Sequence, residues 1–243
     1  MNTETLLIDI GGTNLRAGVG NTSSMSISDI QKIKVDSNKH IFDVLHEINS
    51  KNNYKEIVIS AAGPVTENKI SMTNRNLEIN ASDLEKELNV NECYLLNDWE
   101  SIGYSLPLMT ENDFKTVKKG HLESNQTCLA IGPGTGLGFS VLRHVGNVPY
   151  VYPTELGNAR SFNDYLSNLF EIEHSKNFIV LEDYLSGTGI KKIYAEKSGK
   201  NLTTEEIVSD YLDDDLATYI LNNFVIALNN ILQAVSYTHL RAH

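Results

Sequence analysis

Asp9-Ile10-Gly11-Gly12-Thr13-Asn14 is the stretch that decides the fold of this chain. It lies between the apolar runs 6–8 and 15–19, so the pattern predicts a strand, a glycine turn and a second strand. The two glycines let the backbone approach a ligand without interference from a Cβ. The carboxylate, hydroxyl and amide around the turn could hold a nucleotide phosphate and its metal. An ordinary glycine hairpin would explain the same residues, and this alternative stays open.

A second glycine cluster lies at Gly132-Pro133-Gly134-Thr135-Gly136-Leu137-Gly138 and also joins two apolar runs. Loops of this composition expose N–H groups and form concave sites for anions. The spacing is not G-x-G-x-x-G and no helical pattern follows, which argues against a dinucleotide site. A hairpin loop without a ligand is the alternative.

Between the two glycine loops, Asn97 and Asp98 follow the predicted buried strand 93–96. Open α/β sheets place their ligand sites at the carboxyl ends of strands. An amide beside a carboxylate can orient a hydroxyl group and accept its proton. Asn and Asp also favour the first position of a helix, and a helix cap and a ligand site can share one strand end.

These three blocks, in this order and spacing, resemble bacterial ATP-dependent glucokinases of the hexokinase–actin–chaperone ATPase superfamily. The resemblance extends from residue 5 to about residue 234. Further blocks that resemble the family are Ala62-Gly63-Pro64-Val65 with Met72-Thr73-Asn74, Pro153-Thr154-Glu155-Leu156-Gly157-Asn158, and Glu182-Asp183-Tyr184-Leu185-Ser186-Gly187-Thr188-Gly189.

The resemblance implies ATP-dependent phosphorylation of glucose to glucose 6-phosphate, which enters glycolysis, with ATP and Mg²⁺ required. Asp98 would accept the proton of the sugar hydroxyl, and Asp9 would act on Mg²⁺ through water. Five side chains would bind the sugar: Asn74, Asn97, Glu155, Asn158 and Glu182. Seven residues would approach the nucleotide phosphates: Gly11, Gly12, Thr13, Asn14, Gly134, Thr135 and Gly136.

One departure from the family concerns Asn158, where family members usually carry a histidine that helps to hold the sugar. Asparagine can donate and accept hydrogen bonds, but it has neither a ring nor a titrating nitrogen. Two alternatives follow: a kinase for another hexose or an amino sugar, and a non-catalytic sugar- or nucleotide-binding relative. The intact Asp98 argues against the second alternative, because a sensor does not need a base.

The resemblance implies an α/β fold of two actin-like (ribonuclease H-like) domains with mixed sheets flanked by helices, the second domain being incomplete. The predicted domains are 1–107 and, in part, 108–235, with 236–243 as a non-native tail. Family members continue past residue 235, so we expect low activity from this truncated chain. We also expect a homodimer at full length.

Hydrophobic periodicity predicts alternating strands and helices, with a capping box at Ser82-x-x-Glu85. The predicted strands are 5–10, 15–20, 30–36, 56–62, 68–73, 93–97, 127–131, 138–143 and 148–152. The predicted helices are 40–51, 82–88, 99–106, 161–172, 178–185, 188–198, 204–212 and 214–235.

The 243-residue chain has a formal net charge of −11, which argues against a nucleic-acid partner because phosphate backbones are repelled. Neither a signal peptide nor an apolar run of 18 residues is found, so we predict a cytoplasmic protein without a membrane partner. Cys93 and Cys128 lie in apolar runs and are predicted to be buried thiols rather than a disulfide.

Overall fold

The computed structural model describes residues 4–72, 75–120, 125–173 and 176–235. The chain divides into two compact units, unit 1 at Met1–Gly120 and unit 2 at His121–His243. The domain boundary predicted at residue 107 stays a prediction.

Unit 1 is built on a mixed five-stranded sheet in the order β3-β2-β1-β4-β8. The first three strands form an antiparallel meander, whereas β1, β4 and β8 run parallel. A small antiparallel sheet, β5-β6-β7, follows β4. The strand bounds are β1 Glu4–Ile10, β2 Asn14–Asn21, β3 Ser26–Lys34, β4 Glu56–Ala61, β5 Val65–Thr66, β6 Lys69–Met72, β7 Leu77–Asn80 and β8 Glu92–Asn97.

Three α-helices complete unit 1: α1 Asn38–Asn52, α2 Ala81–Leu88 and α3 Asp98–Ser105. The apolar stripe of α1 is buried as its helical spacing predicts, with Ile41 and Leu45 wholly inaccessible to solvent. This stripe packs into one hydrophobic core with the inward-facing residues of β1, β4 and β8. The core thereby fixes the strand ends from which the polar residues project.

In its described residues, unit 2 combines a three-stranded antiparallel sheet, β11-β10-β9, with four α-helices and two 3-10 turns. Its core is formed by residues of β10 and of the helices, including the fully buried rings of Phe170 and Tyr184. The elements are β9 Cys128–Pro133, β10 Leu137–Val145, β11 Val148–Pro153, α4 Asn163–Phe170, α5 Gly187–Ser198, α6 Thr204–Ser209 and α7 Asp215–Val235. The described parts of the chain contain no helix long and apolar enough to cross a membrane.

Several predicted elements are wrong or incomplete. The predicted helix 178–185 is only a 3-10 turn, Leu181–Asp183, and the short strands β5 and β7 were not predicted. The predicted strand 30–36 begins four residues earlier, at Ser26. The predicted tail 236–243 lies outside the described residues.

The capping box predicted at Ser82 is also wrong. Helix α2 begins one residue before Ser82, and Asn80 caps it by accepting a hydrogen bond from the Ser82 amide. Glu85 Oε1 instead accepts from the Cys93 amide at 3.1 Å, which ties the helix to β8.

Both cysteines are free thiols, as predicted. Cys93 is buried in unit 1, and burial raises its pKa to about 12. Cys128 in unit 2 is half-buried rather than fully buried, and burial raises its pKa as well.

Candidate active site

The first glycine loop is a tight turn between β1 and β2. The Gly11 amide donates to the Asn14 carbonyl at 2.8 Å, and Asn14 Nδ2 donates to Thr13 Oγ1 at 2.9 Å. Gly12 and Thr13 at the tip are exposed. The loop thus presents backbone and a hydroxyl group to solvent, which is the arrangement that a phosphate ligand requires.

Arg75 holds this loop in place through hydrogen bonds to backbone carbonyls, a role that was not predicted from the sequence. Its Nε donates to the Gly11 carbonyl at 3.1 Å, and its Nη2 donates to the Val35 carbonyl at 3.0 Å. Asn38 Nδ2 in turn donates to the Arg75 carbonyl at 3.2 Å. The Val35 amide donates to the Thr13 carbonyl at 3.0 Å, so Arg75 holds both sides of the loop. A single arginine outside any motif gives no signal for this role in the sequence.

Asp9, the predicted Mg²⁺ residue, lies at the end of β1 with its side chain 43% exposed. Its Oδ2 accepts from Arg16 Nη1 at 2.6 Å. No group of three metal-ligating side chains occurs among the residues that the structure describes. A single accessible carboxylate therefore fits a Mg²⁺ ion that is held through water and by nucleotide phosphates rather than by a protein cage.

Asn97 caps α3, so the helix-cap interpretation of this residue is confirmed. Its Oδ1 accepts from the Trp99 amide at 2.9 Å, and Glu100 completes a capping box. Its Nδ2 donates to the Gly63 carbonyl at 3.0 Å. A Cβ at Gly63, whose φ is +155°, would lie 2.2 Å from the Ser71 carbonyl oxygen, so this close approach requires glycine.

Asp98 is the first residue of α3 and is half-buried. Burial, and to a smaller extent the Asp9 carboxylate, raises the pKa of Asp98 above its ordinary value, against the lowering effect of a hydrogen bond from the Trp99 amide. Asp9, Arg16 and Asp98 are the charged residues that line one groove of about 670 Å³ on unit 1, whose lining is otherwise largely apolar. A carboxylate with a raised pKa in such a groove can accept a proton from a bound hydroxyl group.

The second glycine loop connects β9 to β10. The Gly134 amide is used inside the loop, donating to the carbonyls of Gly132 at 3.0 Å and Gly136 at 2.9 Å. The amides of Thr135 and Gly136 have no hydrogen-bond partner within the described ranges. These two amides are therefore the donors that the loop could offer to a phosphate, and the Gly134 amide is not among them.

The predicted sugar residues of unit 2 gather around the start of β10. Glu182 Oε2 accepts from the Leu137 amide at 3.3 Å, and a Cβ at Gly157 would lie 3.3 Å from that same oxygen. Asn158 Nδ2 approaches Glu155 Oε2 at 3.4 Å. Carboxylates and amides at this spacing can together bind several hydroxyl groups of a sugar.

The predicted site residues are thus divided between the two units. In unit 1 the first glycine loop, Asp9, Asn97 and Asp98 lie at the carboxyl ends of β1 and β8, which both pair in parallel with β4. Unit 2 contains the second loop, Glu155, Asn158 and Glu182. Asn74, the remaining predicted sugar residue, lies outside the described residues.

The mixed sheet of unit 1, together with the two glycine loops, defines an actin-like α/β protein with the fold of the sugar kinases. The chain belongs to the Glucokinase family, whose profile matches residues 6–233. It is 28% identical over 196 residues to a glucokinase of Colwellia psychrerythraea, covering 78% of this chain and 59% of that protein. It is 29% identical over 201 residues to a glucokinase of Helicobacter pylori, with the same coverage. The chain thus spans less than two thirds of these relatives.

Solved structures show the same fold. The glucokinase of an Antarctic psychrotroph superposes with a TM-score of 0.78 at 20% identity, covering 98% of this chain and 80% of that chain. The glucokinase of Balamuthia mandrillaris in complex with glucose gives 0.71 at 19% identity, covering 97% of this chain and 76% of that one.

Proposed function

We propose that this chain is part of an ATP-dependent kinase that transfers the γ-phosphoryl group of ATP to a hydroxyl group of glucose, giving glucose 6-phosphate. Membership of the Glucokinase family supports the reaction class. The observation that carries the proposal is Asp98, a half-buried carboxylate at the end of β8 in the groove that Asp9 also lines.

Asp98 is the proposed general base. Its raised pKa makes the carboxylate a better proton acceptor than an exposed aspartate. The Trp99 amide donates to its Oδ1 at 3.0 Å and orients the carboxylate, while the α3 cap provided by Asn97 fixes the backbone at this position. Phosphoryl transfer has little covalent chemistry for a protein to perform, so a positioned base and positioned donors are the main requirements.

The residues proposed to bind glucose occur in both units of the chain. Asn97 and Asp98 belong to unit 1, and Glu155, Asn158 and Glu182 to unit 2, with Asn74 as a further proposed residue. The Balamuthia mandrillaris glucokinase was crystallised with glucose, and a Streptomyces griseus glucokinase of this fold was crystallised with glucose and AMPPNP. These complexes support glucose and a nucleotide as the ligands of this chain.

The two glycine loops are the proposed phosphate-binding elements. Gly11, Gly12, Thr13 and Asn14 form the proposed phosphate loop of unit 1. Of Gly134, Thr135 and Gly136, the residues predicted to approach the phosphates in unit 2, Gly134 is no longer proposed as a ligand, because its amide already donates inside the loop. In the second loop the free amides of Thr135 and Gly136 are the donors. When bound, Mg²⁺ would neutralise charge on the phosphates, and Asp9 would hold its water ligands.

A panel of sugars tests the acceptor. The 243-residue chain, labelled ATP and Mg²⁺ are incubated with glucose, mannose, glucosamine and N-acetylmannosamine, and the phosphorylated sugar is separated and counted. We expect glucose to be the preferred acceptor. A preference for an amino sugar would support the alternative that Asn158 suggests, for which a structural neighbour described as a putative N-acetylmannosamine kinase is a precedent.

Because we expect low activity from the 243-residue chain itself, the same panel is repeated with a version extended by the C-terminal segment of a relative. Absence of transfer to every sugar by both versions, with glucose binding retained, would favour the non-catalytic alternative. One structural neighbour is a transcriptional regulator, so the fold by itself does not decide between the two classes. A cytoplasmic location and a homodimer of the longer protein are the remaining proposals. Fractionation of the native cells would test the first, and light scattering would test the second.

A further inference from the structure

Residues 182–188 contact the second glycine loop at three points within unit 2. Glu182 Oε2 accepts from the Leu137 amide at 3.3 Å. The Gly187 amide donates to the Gly134 carbonyl at 2.7 Å, and Thr188 Oγ1 donates to the Thr135 carbonyl at 2.7 Å. The segment that carries a proposed sugar residue is therefore attached along the length of a proposed phosphate loop.

Glu182 also approaches the loop more closely than a side chain would allow. A Cβ at Gly136 would lie 2.8 Å from Glu182 Oε2, so any residue larger than glycine must displace this carboxylate. At Gly134, two residues earlier in the same loop, a Cβ would meet nothing within 4 Å. The loop thus contains one glycine that depends on the position of Glu182 and one that does not.

The backbone that carries Glu182 is rigid. The buried Ser186 Oγ donates to the Glu182 carbonyl at 2.7 Å and accepts from the Gly189 amide at 2.9 Å, where it caps α5. Thr204 Oγ1 donates to the Gly187 carbonyl at 2.7 Å. These hydrogen bonds hold the backbone around Glu182, so a change in the position of its carboxylate involves the side chain and the loop atoms that it contacts.

We propose that Glu182 couples sugar binding to the conformation of the second glycine loop, acting both as a sugar ligand and as a positioning residue for the Thr135 and Gly136 amides. This inference rests on the proposed function, because it requires a sugar hydroxyl on Glu182 and a phosphate on the loop. A sugar that orders the Glu182 carboxylate also orders its contact with the Leu137 amide. A nucleotide that binds afterwards has less ordering to complete, so each ligand increases the affinity of the other.

Thermodynamic linkage makes this coupling reciprocal and measurable. Glucose should raise the affinity for Mg²⁺ and a non-hydrolysable ATP analogue by about fivefold or more, and the analogue should raise glucose affinity by the same factor. In Glu182→Ala the effect of glucose on nucleotide affinity, measured at high glucose, should be lost.

The two glycines provide matched variants for calorimetry with glucose alone. In Gly136→Ala, Glu182 Oε2 must retreat by about 0.6 Å to reach an ordinary contact of 3.4 Å. We expect glucose affinity to fall about tenfold, since misplacing a binding group by a fraction of an ångström is costly. Gly134→Ala should change glucose affinity by no more than about twofold. Equal losses in the two variants, or none in Gly136→Ala, would overturn the proposal.

A double-mutant cycle on thermal unfolding needs no ligand and separates this inference from the proposed function. Gly136→Ala should shift Tm by different amounts in the parent and in the Glu182→Ala background, because the clash exists only when Glu182 is present. Equal shifts would refute the contact between the two residues. A chain that shows unequal shifts but binds neither glucose nor nucleotide would retain the contact and contradict the proposed function, and with it the coupling.

Discussion

Replacing Asp98 by asparagine tests the proposed base with almost no change in shape. The side-chain oxygen of the new asparagine could still accept the hydrogen bond that Asp98 Oδ1 now accepts from the Trp99 amide at 3.0 Å, so the start of α3 should be preserved. The amide cannot accept the proton of the sugar hydroxyl. In a version extended by the C-terminal segment of a relative, we expect turnover to fall by about 10²–10⁴, the range for loss of a general base, which corresponds to about 3–5 kcal/mol in the activation barrier.

The same substitution has a second consequence, for stability. Since burial raises the pKa of Asp98 above its ordinary value of 3.8, the folded protein binds this proton more tightly than the unfolded chain does. The stability gained from this proton is complete below pH 3.8 and is lost as the pH rises through the raised pKa. The carboxylate therefore costs stability at neutral pH, and Asp98→Asn should raise Tm at about pH 7 by an amount that shrinks on acidification.

Turnover is measured from labelled ATP at saturating glucose, and Tm is measured from about pH 3 to pH 8 by circular dichroism. Asp113→Asn is the control, because it should change Tm at neutral pH in the opposite direction. Hydrogen bonds from Thr110 lower the pKa of Asp113, so the contribution of this carboxylate to stability is lost as the pH falls. A folded Asp98→Asn protein with turnover within about tenfold of the parent would refute the assignment of the base. A Tm at neutral pH below that of the parent would refute the argument from burial.

Three further predictions concern unit 1. Arg75→Met should lower affinity for Mg²⁺ and the ATP analogue about tenfold, because the Gly11 carbonyl loses a charge-assisted hydrogen bond. Glucose affinity should be retained. Arg75→Lys restores one donor and should recover part of the loss in the same titration. Asp9→Ala should weaken Mg²⁺-dependent nucleotide binding more than glucose binding, and a large loss of glucose affinity in calorimetry without nucleotide would assign Asp9 to the sugar instead. Gly63→Ala should reduce the free energy of unfolding in urea by about 1–3 kcal/mol from backbone strain alone. The loss should be larger if the contact of the new Cβ with the Ser71 carbonyl oxygen is not relieved. An unchanged urea midpoint would contradict this prediction.

The strand–turn–strand around residues 9–14 and the buried stripe of α1 could be predicted because each is a local pattern. At these positions the hydrophobic periodicity, the glycines and the burial all indicate the same structure, so long-range contacts did not change the predicted elements. The helix that begins after β8 could be predicted for the same reason, since asparagine is a favoured N-cap residue and Asn97 caps α3.

The start of α2 shows where local patterns fail. Asn80 and Ser82 are both good caps, two residues apart, and the Ser82-x-x-Glu85 pattern favoured the wrong one. Pairing of β7 with β6 reaches Asn80, and the Ala81 amide donates to the Asn68 carbonyl, so the tertiary structure selects Asn80. Glu85 is then released from the capping role and contacts β8.

The contacts that organise the candidate site could not be predicted because they are long-range. Arg75 is 64 residues from Gly11, and Glu182 is 45 residues from Leu137. Neither pair has a spacing that a periodic pattern would reveal. Such contacts follow from sheet order and loop placement, which only the three-dimensional structure provides.

The chain carries one thiol in each unit, and alkylation of the two thiols therefore reports on each unit separately without an introduced label. Cys93 is buried and its pKa is raised to about 12, so we expect it to be alkylated at neutral pH mainly when unit 1 opens and exposes it. Cys128 is half-buried at the start of β9, which ends at the second glycine loop, and should be modified first. Mass spectrometry of partly alkylated protein would therefore give two separate rates of modification. The rate at Cys93 reports on the sheet that carries Asp98, and the rate at Cys128 reports on the strand that leads to Thr135.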